Sequence, residues 1–525
     1  MTYTKHWNWL RSAAIVLAAA LCVVPATQAA PAKERVNIIY KKGAQAKIMA
    51  AIARKNGRLI YEFPEVNAVT VELSRKAVRA LKRNANVKFV EADTMQYAFA
   101  LTDPSDGDPY FLGQAVPYGI PMVQADVLDD STAGNTTLCI IDSGIDGTHP
   151  DHAGNILAGE NLTTSGTWDS DESSHGTHVA GTIAAVNNPD VGVVGVLPNT
   201  NLNLYIAKVF DASGSTASST VAKAMWGCWR RGGADVISMS LGGAGNSRLQ
   251  QIVADFLYTR GVLLIAAAGN DGNSVISYPA GLDSVMSVAA IDENKAWANF
   301  SQFNETVEIA APGVSVLSTV PVGSIVDYTA TVDGTEYPAL LMDGTPAATA
   351  TSTLYDLGTG EAIDGAAAGQ ICLIQRGNIS FADKVLACEN SGGIGAIIYN
   401  NVPGSLSGTL GDVATTIPSV GVSDTDGALM LADVGTIATV DTLNGIVSDY
   451  DYDFFSGTSM ATPHVSAVAA LVWSHFPTCT NVEIRDALNA TAEDLLTAGR
   501  DNFTGYGLVQ ALAAYDYLAE NSCGL

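Results

Sequence analysis

The sequence predicts an α/β protein: a parallel sheet covered by helices on both faces, preceded by a small α+β unit and interrupted by a mainly-β insertion. Three observations predict it. From about Gln114 to Val320, short apolar runs such as "TLCIID", "LYIAKVF", "ADVISMS" and "VLLIAAAGN" alternate with amphipathic ones such as "HVAGTIAAV" and "LQQIVADFLYTRG", as parallel strands joined by crossover helices do. Residues 323–448 abandon that pattern for short strands in a Gly-, Ala-, Thr- and Asp-rich context. At Tyr450 the alternation resumes with "DFFSGTSMATPHVSAVAALVWSHF", so the insertion interrupts a fold that its far side completes.

In chain order, residues 1–30 have the layout of a cleavable export signal. Lys5 and Arg11 precede the apolar run Ala13–Val24, and small residues end at Ala30. That run is shorter than the roughly 20 residues a bilayer requires, so no membrane anchor is expected and the product is expected to be secreted. Residues 31–100 read as strand, helix, strand, helix, strand: "RVNIIY", "AQAKIMAAIARKNG", "NAVTVEL", "SRKAVRALKRN", "VKFVEAD". "TDPSDGDPY" reads as a linker. Residues 101–322 and 449–525 then form the two parts of the main domain around the insertion.

Composition narrows the function classes. Apolar residues make up 47% of the 525 and charged residues 15%, a globular balance. Residues 1–100 carry 16 Lys and Arg against 6 Asp and Glu, whereas residues 101–525 carry 11 against 47. Such an acidic body excludes a nucleic-acid partner, and the asymmetry predicts complementary contact between the basic front and the acidic remainder. Of seven cysteines, Cys22 leaves with the signal. Cys372 and Cys388 are close in sequence, and Cys479 and Cys523 bracket the C-terminal section, so these are expected to pair, contributing about 3 and 4 kcal/mol on the loop-entropy model. Cys139, in a strand, and Cys228, in a helix, are expected to be buried free thiols.

Reactive groups in an open parallel sheet gather at the carboxyl ends of strands. "CIIDSGIDGTHPD" ends a strand at Asp142, "HGTHVAGTIAAV" opens a helix at His175, and "SGTSMATPHV" opens another at Ser459. A serine hydroxyl is a weak nucleophile unless a histidine takes its proton and a buried carboxylate orients that imidazole. His175 and His178 could also hold zinc at helical spacing, but no Glu follows in the metallopeptidase pattern. The order Asp, His, Ser excludes the α/β-hydrolase arrangement of esterases and lipases. Pro463 cannot donate to the carbonyl of Ser459, which puts the helix start beside the serine.

On these motifs, residues 114–320 and 449–515 resemble a subtilisin-type serine peptidase, which implies the subtilisin-like version of the fold and a protein-cleaving hydrolase. The resemblance implies Asp142, His175 and Ser459 as a triad. It implies Asn270, closing "AAAGN", as an oxyanion donor, and a monomer acting on protein and peptide substrates. It further implies that an extended substrate pairs with Gly214, Ser215 and Thr216 on one side and Ser240, Leu241 and Gly242 on the other. Ala267, Ala268 and Gly269 would wall the primary pocket, Ser277 would lie near its floor, and an apolar residue is expected before the scissile bond. "VNNPDVGVV" resembles the family's calcium loop, which implies calcium held by Gln114, Asp151 and Asn188 with the carbonyls of Val186, Val191 and Val193. Residues 33–100 resemble the inhibitory propeptide, whose tail "DTMQYAFA" would lie in the cleft and be cut between Ala98 and Leu101. The insertion resembles a protease-associated (PA) domain, most specifically over residues 371–401.

Overall fold

The strand Thr137–Asp142 is apolar on both sides, and a strand with no polar face must be covered twice. In the computed structural model it is an interior strand of a seven-stranded sheet, with Leu138 and Ile140 in one core and Cys139 and Ile141 in the other. The structure describes residues 33–98, 101–102, 114–188, 192–324, 326–377, 379–401, 406, 408–410, 413–447 and 451–523. The export signal expected over 1–30 lies outside them.

The main sheet comprises β1 (Thr137–Asp142), β2 (Ile156–Asn161), β3 (Asn203–Lys208), β4 (Val236–Met239), β5 (Leu263–Ala267), β6 (Val285–Ile291) and β7 (Val307–Pro312). Its order is β2-β3-β1-β4-β5-β6-β7, all parallel. The chain leaves β1 toward β2 and β3 and returns past it to β4, so the order reverses beside β1 and opens a crevice at its carboxyl end. On one face lie α1 (His175–Ala184) and α4 (Thr458–His475), and on the other α2 (Ser218–Gly227) and α3 (Arg248–Tyr258). All of α4 from Thr458 to Ser474 is buried, which accounts for its lack of a polar face. No helix among the described residues is long and apolar enough to cross a membrane.

Cys139 and Cys228 are bonded to each other, Cα–Cα 5.8 Å, which corrects the expectation of free thiols. Cys228 begins the π-helical turn Cys228–Gly232 that continues α2 against the sheet face on which Cys139 stands. The partners are 89 residues apart and meet only through layer packing. Cys372–Cys388 and Cys479–Cys523 are also bonded.

The front unit is a four-stranded antiparallel sheet, in the order Arg58–Phe63, Ala68–Ser74, Lys33–Tyr40, Val87–Ala92, with helices Gln45–Ala53 and Arg75–Lys82. The edge strand Arg58–Phe63 was not expected; only Phe63 of its residues is buried, so it lacks a clear apolar alternation. The unit does not meet the acidic body through paired charges. Among the described residues Arg35 pairs with Asp93, Arg58 with Glu72 and Arg75 with Glu34, all within the unit. Outside its tail strand, polar contact runs through Arg35, which donates to Ser219 Oγ at 2.7 Å and Thr220 Oγ1 at 3.0 Å, and through two of its few carboxylates on helix N-termini. Glu91 accepts from the backbone N–H groups of Arg248 (3.0 Å) and Leu249 (2.9 Å) at α3. Asp93 accepts from Ser218 Oγ (2.9 Å) and from Ser219 N (2.9 Å) and Oγ (2.5 Å) at α2. A positive helix end selects an anion whatever the net charge around it.

The insertion is a closed sheet: Thr335–Asp343 pairs with Val326–Val332 on one side and with Ser419–Val422 on the other, completing a ring. It is mainly β, but two helices, Phe381–Asn390 and Asp424–Ala432, correct the expectation that it lacks them. The first joins Ile371–Gln375 to Gly395–Tyr399, which are parallel neighbours, and a parallel pair needs a crossover that a hairpin cannot supply.

Candidate active site

Asp142 ends β1 at the crevice, wholly buried, and His175 is the first residue of α1. The two meet at 2.6 Å, His175 Nδ1 to Asp142 Oδ1. The same oxygen accepts from Ser143 N at 2.8 Å, and Ser143 Oγ accepts from Gly176 N at 2.8 Å, so the strand end and the helix start are tied twice. Gly176 permits this approach, since a Cβ there would stand 2.1 Å from the carbonyl oxygen of Gly144. Asp171 accepts from Thr177 N and Oγ1 at 2.9 and 2.7 Å, holding the α1 start from the other side. Burial in itself depresses the His175 imidazolium, but the charge and hydrogen bond of Asp142, with Asp171 behind, outweigh it and hold His175 above its ordinary value. Nε2 of His175, the nitrogen a nucleophile would use, has no partner among the described residues.

Ser459 is the second residue of α4. Pro463 leaves its carbonyl without an intrahelical donor, and Ser240 Oγ fills that place at 2.8 Å. In return Ser459 Oγ donates to the carbonyl of Ser240 at 2.8 Å. The structure therefore joins Asp142 to His175 but bonds the Ser459 hydroxyl to Ser240, not to His175. Asn270 stands beside the helix start: its Oδ1 accepts from Thr458 N and Oγ1, both at 2.9 Å, which makes Nδ2 its donor end. Thr458 Oγ1 also accepts from Gly269 N at 3.1 Å. Gly269 has φ +110°, and a Cβ there would collide with Gln302 Oε1 at 1.6 Å, so only glycine fits.

His178 is no metal ligand. Its ring stacks on Phe455 with centroids 4.3 Å apart, and Nε2 lies 3.0 Å from the Val316 carbonyl and 3.1 Å from that of Asp453. Burial pushes it down to about 3.

The cleft walls are occupied by the front unit's own tail. Met95–Ala98 lies antiparallel between Ser215–Ala217 and Leu241–Gly242, with Tyr97 opposite both Ser215 and Gly242 and Ala98 opposite Leu241. Ala98 N also donates to the Gly214 carbonyl at 3.3 Å, and Thr216 faces Gln96. Beyond residues 99 and 100, which lie outside the described residues, Leu101 and Thr102 pair antiparallel with Ser456 and Phe455. Ala267, Ala268 and Gly269 line the end of β5 and are buried, and Ser277, also buried, has no partner for its Oγ among the described residues.

At the expected metal loop, the Gln114 side-chain amide lies 2.9 Å from the Val186 carbonyl and 3.0 Å from that of Val193. Asp151 is fully buried; its Oδ2 accepts from Val193 N at 2.9 Å, and its Oδ1 has no partner among the described residues. Asn188 lies on the same loop, half-buried, and Val191 falls outside the described residues.

Sequence reasoning missed the supports: Ser240 Oγ, Thr458, Gln302 and Asp171. Only Asp171, four residues ahead of His175, carried a local signal, an acidic residue at a helix start.

Similarity to known proteins follows the same geography. Residues 133–353 and 418–507 match the Subtilase family, 338–430 the PA domain, and 21–93 the Fervidolysin N-terminal prodomain. Subtilisin E of Bacillus subtilis (strain 168) is 38% identical over 302 residues, 56% of this chain and 74% of its own. Subtilisin DY of Bacillus licheniformis is 44% identical over 216 residues, 40% of this chain and 76% of its own. Among solved structures, the psychrophilic subtilisin-like protease Apa1 from the Antarctic psychrotroph Pseudoalteromonas sp. AS-11 is 43% identical, with TM-score 0.55, covering 78% of this chain and all of that one. Fervidolysin from Fervidobacterium pennivorans shares the fold at 23% identity, with TM-score 0.59 over 93% of this chain and 62% of its own. With the family match spanning more than half of its length, the chain belongs to the subtilases and is a serine peptidase with a prodomain and an inserted PA domain.

Proposed function

We propose that the chain is a secreted endopeptidase, made as a precursor that cuts its own prodomain, in which Ser459 attacks, His175 takes and returns the proton, and Asp142 orients His175. The observation that carries this reading is the buried 2.6 Å Asp142–His175 bond at the end of β1, on the sheet face that α1 shares with α4, whose first turn carries Ser459. In the first step Ser459 Oγ leaves its bond to Ser240 and adds to the substrate carbonyl carbon, and its proton passes to His175 Nε2. Charge that develops on the carbonyl oxygen is met by Ser459 N–H and Asn270 Nδ2; each such donor is worth about 2.7–4 kcal/mol. His175 then protonates the departing amine, and the acyl group on Oγ is released by water through the reverse sequence.

Substrate backbone would bind as the tail Met95–Ala98 does, as a strand between Gly214–Thr216 and Ser240–Gly242. Cutting between Ala98 and Leu101 agrees with the two ladders that flank this interval. An apolar residue before the scissile bond agrees with the apolar wall Ala267–Ala268. The decisive test is Ser459→Ala: full-length precursor should accumulate, and labelling by a fluorophosphonate should vanish. Normal maturation of that variant would end the self-cleavage reading.

Calcium is the cofactor proposed for the loop. Three groups already converge there, the Gln114 amide and the carbonyls of Val186 and Val193, and the unpartnered Asp151 Oδ1 supplies an anionic oxygen. A half-turn of the Gln114 amide would present its oxygen, and Asn188 and the Val191 carbonyl complete a set within the six to eight that calcium takes. The ion's contribution is to fix the loop. Chelator should lower the temperature of thermal inactivation, and Asp151→Asn should remove that sensitivity; a wild-type enzyme indifferent to chelator would exclude the site.

A further inference from the structure

The tail strand alternates in exposure: Met95 and Tyr97 face solvent, whereas Gln96 is wholly buried. A buried primary amide costs stability unless its hydrogen bonds are made. Those of Gln96 are made by a single construction in the body. Gln96 Nε2 donates to Gln250 Oε1 at 2.8 Å and Gln250 Nε2 donates to Gln96 Oε1 at 3.0 Å, a reciprocal amide pair. The second N–H of Gln96 reaches the carbonyl of Tyr278 at 3.0 Å. Gln250 is itself fully buried, two residues into α3, and Tyr278 is locked to Gly243 by paired backbone bonds of 2.9 and 3.1 Å. The pocket thus offers one acceptor and one donor on a side chain, plus a fixed backbone acceptor, to whatever side chain descends from the strand.

The two ladders give the pocket its place in a substrate. Ala98 is opposite Leu241 and Leu101 opposite Ser456; Ser240, next to Leu241, and Ser459, three residues past Ser456, are bonded to each other. With the proposed cut placed at the centre of the interval between the two ladders, after residue 99, Gln96 is the fourth residue ahead of it.

We propose that Gln250, with the Tyr278 carbonyl, is a specificity-determining pocket that selects substrates carrying glutamine four residues before the cut. This rests on the reading of the tail as a bound substrate strand. A glutamine satisfies both sides of the pair. A methionine of the same length leaves the Gln250 amide and the Tyr278 carbonyl desolvated and unpaired, and a site built to bond a polar group rejects the analogue that lacks it. A glutamate has no N–H for either acceptor and brings a charge into a buried place.

The test uses the mature enzyme, prodomain removed, on peptides identical except for Gln, Met or Glu at this position, with casein hydrolysis as the measure of general activity. Gln should exceed Met in kcat/KM by tenfold or more and Glu by a larger factor. In Gln250→Leu the Gln-over-Met preference should collapse or reverse while casein is still cleaved. Equal cleavage of the Gln and Met peptides by wild-type enzyme that digests casein would overturn the pocket and confine the amide pair to holding the prodomain. Failure to digest casein or any peptide would overturn the peptidase reading itself.

Discussion

At the scale of single residues, the proposed mechanism turns on the state of one imidazole. His175 lies above its ordinary value because the carboxylates of Asp142 and Asp171 outweigh burial. A histidine acting as base must be neutral, so activity is lost as pH falls through its pKa. With that pKa raised, the acid limb of kcat/KM should lie above about 6.5, the ordinary histidine value. Asp171→Asn keeps an acceptor for Thr177 but removes a negative charge, so the limb should move to lower pH in a profile of the mature enzyme. A limb that stayed put or moved up would remove Asp171 from the account. The Asp142–His175 bond and the helix start that carries Ser459 were legible in the sequence because each residue stands in a local motif at a strand end or helix start. Gln250 was not, since nothing around it in sequence distinguishes it from any polar residue on a helix; its meaning comes from Gln96, 154 residues away.

Among elements, helix ends do most of the positioning. α1 and α4 present His175 and Ser459 at their first turns, while α2 and α3 offer theirs to Asp93 and Glu91 of the prodomain. The net charges of the two parts suggested a meeting of opposites, yet what counts is the local field of an aligned helix, which composition does not report. Asp93 is the stronger anchor: it binds Ser218 and Ser219 and also Arg35, and it is almost wholly buried. Asp93→Ala in the Ser459→Ala precursor should therefore destabilise it by about 1.5–3 kcal/mol, the worth of hydrogen bonds to a charged group. Calorimetry of the two precursors checks this; an unchanged melting temperature would mean that the capping contact holds nothing. The same limit on reading sequence explains the edge strand Arg58–Phe63, with one buried residue, and the Cys139–Cys228 bond, whose halves lie in different layers. Periodicity identifies which face of an element is buried, but pairing across layers is a property of the packed whole.

For the whole molecule, the question is how a chain tolerates an insertion of this size inside its catalytic domain. The answer lies at the exit points. Val316–Thr319 and Tyr452–Ser456 are paired antiparallel, Thr319 opposite Tyr452, and Val320 N donates to the Asp451 carbonyl at 2.8 Å. The insertion thus hangs from the end of a two-stranded ladder, where a native hairpin would have carried a short turn. It has its own apolar interiors, one around Leu373, Ile397 and Val420 and another around Ile374, Val385 and Ile398, and its own disulfide. Among the described residues, nothing in those interiors is borrowed from the peptidase core, as expected of a separately folding unit. Replacing residues 322–450 with a two-residue Asn-Gly turn should leave the ladder, Ser456 and the α4 start in place, and closing a shorter loop costs less chain entropy. The excised enzyme should mature and keep its kcat/KM on short peptides within a few-fold, while cleavage of large folded proteins is free to change. Two contacts limit the cut, both at 2.9 Å: Val322 N donates to Asp146 Oδ2 and steadies the loop after Asp142, and Gly323 N donates to Asp451 Oδ1 and ties the two exit segments together. If maturation survives but peptide hydrolysis falls by orders of magnitude, those two bonds, and with them the insertion, belong to the active site; if hydrolysis persists, the insertion acts only on what reaches the cleft.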